Sequence, residues 1–81
     1  MHSPTYRKAI SKLVELRRAA GMTQRDLAAA IGKPPSFVAK IERGERRLDV
    51  VEFVAVVRAL GGKETDVLRS IAADLPKRIE I

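Results

Sequence analysis

Four of the five glycines in this 81-residue chain, Gly21, Gly32, Gly44 and Gly61, stand where a run of apolar residues at helical spacing stops. A helix that must end sharply wants a residue with positive φ at its close, and glycine takes that conformation without a clash. Punctuation of this kind divides the chain into short helices and argues against a sheet.

The starts of those helices are marked as clearly as their ends. The first run has Ser3 as an N-cap and Pro4 at the first helical position. Its apolar positions are Tyr6, Ile10, Leu13, Val14 and Ala20. Thr23 opens the second, with Asp26 three residues on, a capping box with aspartate in place of the usual glutamate. This helix is expected to bury Leu27, Ala28 and Ile31 and to span about eight residues. The third starts at Pro34-Pro35, a pair tolerated only in a first turn or outside a helix. It continues through Val38 and Ile41 to Gly44. Asp49 and Glu52 form a second capping box, and the run from Val50 to Leu60 follows it. Val51, Phe53, Val54, Val57 and Leu60 make this fourth helix so densely apolar that it is expected to be the central one. A fifth, from about Lys63 to Asp74, offers Val67, Leu68, Ile71 and Leu75 before Pro76 halts it. No strand alternation precedes Arg78, and there is no repeat and no low-complexity linker. The expected architecture is all-α, with five short helices in one domain over residues 1–75 and a tail over 76–81.

Composition excludes several functions. The chain has no cysteine, and His2, at the terminus, is its single histidine. Thiolate metal sites and disulfides are therefore out, and little remains for a zinc site or for imidazole chemistry. Ser3, Ser11, Ser36 and Ser70 have no histidine partner, and no phosphate-cradling glycine loop is present. Neither an enzyme nor a cofactor is expected. No apolar run approaches the ~20 residues of a membrane span. The start lacks the apolar stretch of a signal peptide, so a cytoplasmic protein is the simplest reading.

The net charge of +6 is unevenly placed: residues 1–47 carry +7 and residues 48–81 carry −1. A concentration of positive charge in one half fits a face that meets a polyanion, although a solvated basic surface would look the same. The arrangement of the second and third helices favours the first reading. A tight connection at Gly32-Lys33 lets two short helices cross steeply, so that the second can enter a major groove. In that helix Val38 and Ile41 point inward, with Phe37 nearby, while Ser36, Ala39, Lys40 and Arg43 point outward. The segment from Lys33 to Arg47 is thus the candidate for reading a DNA duplex.

Met22-Thr23-Gln24-Arg25-Asp26-Leu27-Ala28, then Ile31-Gly32, then Val38-Ala39-Lys40-Ile41-Glu42-Arg43-Gly44 resembles the Cro/C1-type (XRE) helix-turn-helix family, and Asp49 through Gly61 continues the likeness. It covers about residues 10–61 and implies a five-helix lambda-repressor-like DNA-binding domain. By the resemblance, Gln24 holds a phosphate through its side chain and backbone amide at a helix N-terminus, with Arg25 beside it. Arg17 and Glu42 match an ion pair that braces the first helix against the third. Pro35, Ser36 and Lys40 occupy positions that face base edges. Two prolines depart from the family pattern: Pro34 replaces the usual Ser or Thr cap, and Pro35 stands where Gln is common. Proline cannot make the bidentate bond to adenine, though it can touch a thymine methyl. Hydrogen-bonded readout then falls on Ser36 and Lys40, with Lys40 either reading guanine or binding phosphate. Lys33, Arg43, Arg46 and Arg47 are expected phosphate clamps. Phe37 packs against the second helix or lies at the groove edge, and Tyr6 belongs to the core rather than to a base-stacking platform.

The function expected is a transcriptional regulator of double-stranded DNA, a repressor binding a palindromic operator as a homodimer. Dimer contacts are expected from Val67, Leu68 and Ile71 together with Ile79 and Ile81 of the tail. With no ligand-sensing module in view, control would come from abundance, autoregulation or a partner protein. The alternative is an antitoxin that binds a toxin protein and its own promoter.

Overall fold

The computed structural model describes residues 3–81, so His2 lies outside the described residues. Five helices follow one another: α1 (Pro4–Ala19), α2 (Gln24–Ala30), α3 (Pro35–Glu42), α4 (Val50–Ala59) and α5 (Glu64–Ala73). No strand occurs among the described residues. The caps read from the sequence are made. The Ser3 hydroxyl accepts the Tyr6 N–H at 3.1 Å. Thr23 and Asp26 exchange both hydrogen bonds of a capping box, as do Asp49 and Glu52. The second helix is one residue shorter than expected, at seven, because Thr23 caps it from outside.

Gly21, Gly32, Gly44 and Gly61 all have positive φ, between 70° and 80°. At Gly32 the reason is visible in the backbone. The Lys33 N–H reaches back to the Ala28 carbonyl at 2.9 Å and the Gly32 N–H to Ala29 at 3.2 Å. This is a Schellman closure, which requires a left-handed residue between the last helical turn and the following chain. It turns the chain at once toward Pro34, and it sets the crossing of α2 and α3, which share the most extensive contact of any helix pair.

The core draws on all five helices: Ile10 and Leu13, Leu27 and Ala28, Phe37 with Val38 and Ile41, Val56 and Val57, and Val67 with Ile71. Ala28 is completely buried where α2 meets α3, and any larger side chain there would overpack the crossing. Helix α4 is not the central element that its apolar density suggested. Val56 and Val57 are buried, but Val50 and Val51 are 79% and 77% exposed. A helix at the edge of a small bundle can turn only one stripe inward, so the surplus valines face out. Ala20, assigned to the inner face of α1, is exposed as its C-cap. The expected α5 stripe also divides: Val67 and Ile71 pack into the core, while Leu68 stays 57% exposed.

Candidate nucleic-acid interface

Helix α3 presents two faces. Phe37, Val38 and Ile41 are buried, and Pro35, Ser36 and Lys40 are exposed, with Ala39 half-buried between them. Pro35 sits at the first helical position behind Pro34, and no side chain caps this end. Pro35 has no N–H to satisfy, and Pro34 accepts the Phe37 N–H at 2.9 Å. The first turn of α3 therefore closes on its own backbone and leaves its side chains facing outward. A shallow concavity opens between the starts of α2 and α3, edged by Thr23, Gln24, Arg25, Pro35, Ser36 and Ala39.

A polar brace holds α3 from beneath. Arg17 is only 7% exposed, and it donates to both carboxylate oxygens of Glu42, at 2.7 Å from Nε and 3.0 Å from Nη2. Its Nη1 donates to the Met22 carbonyl at 2.7 Å. Gln24 closes the network, with Nε2 donating to Glu42 Oε1 at 2.8 Å. One carboxylate on α3 thus collects donors from α1 and from the start of α2. The planar guanidinium matches that carboxylate in a two-pronged contact. The sequence pointed to Arg17 and Glu42 but missed the third arm. The Gln24 side chain, expected to hold phosphate, is engaged by Glu42, and only its backbone N–H stays at the helix end. Nothing local signals this, because the contact depends on how α2 crosses α3.

The four basic residues expected as clamps lie in different surroundings. Arg46 is occupied: its guanidinium donates to both oxygens of Glu52, at 2.9 and 2.8 Å, and to the Arg47 carbonyl. It also lies 4.5 Å from the centre of the Phe37 ring, while Lys33 Nζ approaches the same ring at 5.4 Å. Phe37 is accordingly a packing residue, buried beneath two cations. The two Arg46 bonds, followed by the Asp49 N–H, hold the Glu52 carboxyl down at about 2. A signal for this pair was present in the sequence. A capping-box glutamate points back toward the chain that enters its helix, and Arg46 lies in that entry segment.

Arg43 is exposed and paired with Glu45 at 2.7 Å, both side chains more than half exposed. A pair so solvated yields readily to a competing anion. Arg47 is exposed and lies 4.6 Å from the centre of the Tyr6 ring. Among the described residues no carboxylate pairs with Lys33, Lys40 or Arg47 within 4 Å. Nor do the described residues bring together three acidic, cysteine or histidine side chains that could hold a metal, and no described helix is long and apolar enough to cross a membrane.

A helix-turn-helix with a braced, non-acidic outer face and unpaired cations at its flanks is built to meet a duplex, and sequence comparison settles its kinship. The helix-turn-helix family model matches residues 13–68. The chain belongs to the helix-turn-helix family, of the Cro/C1 (XRE) type. An XRE-family like protein from Pseudomonas syringae pv. tomato str. DC3000 is 44% identical, with 89% of this chain and 88% of that one covered and a TM-score of 0.83. The clp gene regulator ClgR from C. glutamicum is 26% identical, covering 95% of this chain and 100% of its own, with a TM-score of 0.77. The restriction-modification controller protein C.AhdI from Aeromonas hydrophila is 33% identical over 74% of this chain and 91% of its own, with a TM-score of 0.67. No curated protein matches the sequence. This XRE protein is a DNA-binding regulator of transcription, and its partner is double-stranded DNA.

Proposed function

We propose that the protein is a repressor that binds a palindromic operator as a homodimer, with α3 of each copy in the major groove. The observation that carries this reading is the outer face of α3, where Pro35, Ser36 and Lys40 are exposed on a helix tied through Glu42 to α1 and α2. Lys40 reads guanine O6 and N7, Ser36 adds a hydroxyl of low discrimination, and Pro35 meets a thymine methyl. Lys33, Arg43 and Arg47 hold phosphates and set register, as the α2 start does through the Gln24 backbone and Arg25. Arg46 is assigned to the fold, since both its terminal nitrogens are engaged by Glu52 and the Arg47 carbonyl. Residues 1–75 form the DNA-binding unit, which works in the cytoplasm, at the nucleoid. The named regulators among its relatives support a role in gene control.

The homodimer rests on the apolar surface that the fold leaves open: Val50 and Val51 at the start of α4, Leu68 on α5, and Ile79 and Ile81 of the tail. This replaces the α5 stripe, two of whose three residues the domain itself buries. Selection of bound sequences from a random duplex pool tests the reading. A two-fold consensus with half-sites one helical turn apart is expected. An asymmetric single site would overturn the dimeric operator, and no enrichment would overturn sequence-specific readout.

A further inference from the structure

Two successive arginines in the segment between α3 and α4 lie on aromatic rings, and they are there for different ends. Arg46 rests on Phe37 and turns both terminal nitrogens to Glu52. Arg47 rests on Tyr6, and its guanidinium makes no salt bridge among the described residues. A guanidinium held over a ring through its carbon uses none of its N–H donors in strong hydrogen bonds there. In that posture they can fork to a phosphate while the ring limits where the side chain can go.

Tyr6 also fixes the backbone that carries Arg47. Its hydroxyl accepts the Leu48 N–H at 2.9 Å, across 42 positions of sequence, and Leu48 packs half-buried against the core. This segment runs from Arg43 to Asp49 without helix, so its geometry depends on such tethers. One side chain from the first turn of α1, outside the matched residues 13–68, thus holds both the main chain and the guanidinium of one residue.

We infer that Tyr6 is a positioning residue for DNA binding, which pre-orders Arg47 as a phosphate clamp. The inference rests on the proposed reading of Arg47 as a phosphate contact. Pre-ordering removes the entropy that a free arginine would lose on meeting the duplex, so its effect is on affinity and is blind to base sequence.

The test measures duplex binding by fluorescence anisotropy, on a selected site and on a random duplex, at several salt concentrations. Arg47→Ala is expected to weaken both and to make the slope of log affinity against log salt shallower by about one. Tyr6→Leu is expected to weaken both about three- to tenfold and to cost nothing further in the Arg47→Ala background. Tyr6→Phe, which keeps the ring and loses the Leu48 tether, is expected to fall between the wild type and Tyr6→Leu. A Tyr6→Phe as weak as Tyr6→Leu would overturn the ring contact as the source of the ordering. If the two losses multiply in the double variant, Tyr6 acts through general stability and the inference fails while the clamp stands. If Arg47→Ala leaves affinity and slope unchanged, the clamp reading fails and takes the inference with it. Should Tyr6→Leu not fold, emission carries the test, since Tyr6 is the single tyrosine in a chain without tryptophan. Its intensity in the free protein should change in Arg47→Ala, and an unchanged emission overturns the stack.

Discussion

Glu42 occupies a position on the recognition helix where a carboxylate would repel DNA if it faced outward. It faces inward, with Arg17 and Gln24 on it, and the side chains of the ion pair are 9% and 13% exposed. Removing one partner strands the other, so Arg17→Ala and Glu42→Ala should each cost about 3–5 kcal/mol in chemical denaturation, with strong coupling in a double-mutant cycle. Independent effects would show that the brace contributes nothing as a pair. Glu52 makes a different prediction. Its folded pKa lies near 2, below the usual 4.5, so its contribution is complete above pH 4.5 and is lost as pH falls toward 2. Thermal midpoints of the wild type and Glu52→Gln should therefore converge across that window and stay apart above it. Lys40→Ala should cost roughly 1–3 kcal/mol on the selected site and relax one base pair per half-site. If random duplex suffers equally, Lys40 is a phosphate contact, and specificity falls to Pro35 or to duplex shape.

At the scale of the helices, termini are governed by local chemistry and burial is not. Gly32→Ala should cost about 1–2 kcal/mol in stability, because φ is +70° there while nothing lies within 4 Å of the added methyl. A loss much larger than this would mean that the α2–α3 crossing itself had moved. Such positions were legible because Thr23, Asp49 and the glycines act on neighbours three or four residues away. What α4 would bury was not legible, since Val50, Val51, Val56 and Val57 are the same residue type and only the position of α2 and α5 separates them. Gln24 misled for a related reason: its residue type suits a phosphate and a carboxylate equally, and the crossing of α2 and α3 chose the carboxylate. Arg46 fared likewise, drawn into the fold by Phe37 and Glu52.

For the molecule as a whole, charge and apolar surface lie in different parts of the chain. The basic front half supplies the face toward DNA, and the exposed valines of α4, with Leu68, are the face that the proposed dimer would bury. Val51→Glu combined with Leu68→Glu should give a monomer by sedimentation at tens of micromolar, as an order of magnitude, where the wild type is dimeric. The same variant should lose affinity for a full palindrome and keep its affinity for a half-site. A wild type that is monomeric under these conditions would remove the dimer from the account. The fold tolerates both changes, because neither residue is part of the core.

The eight residues of α3 have consequences for how such a protein could change its target. Phe37, Val38, Ile41 and Glu42 hold the domain together, while the side chains of Ser36 and Lys40 are exposed and Pro35 serves only the start of the helix. The helix begins without a side-chain cap and closes through Arg43 before Gly44, so its boundaries make no demand on Ser36 or Lys40. On the proposed reading, operator preference and foldability are therefore written on separate letters of one short word. A lineage, or an engineer, can rewrite the first without renegotiating the second.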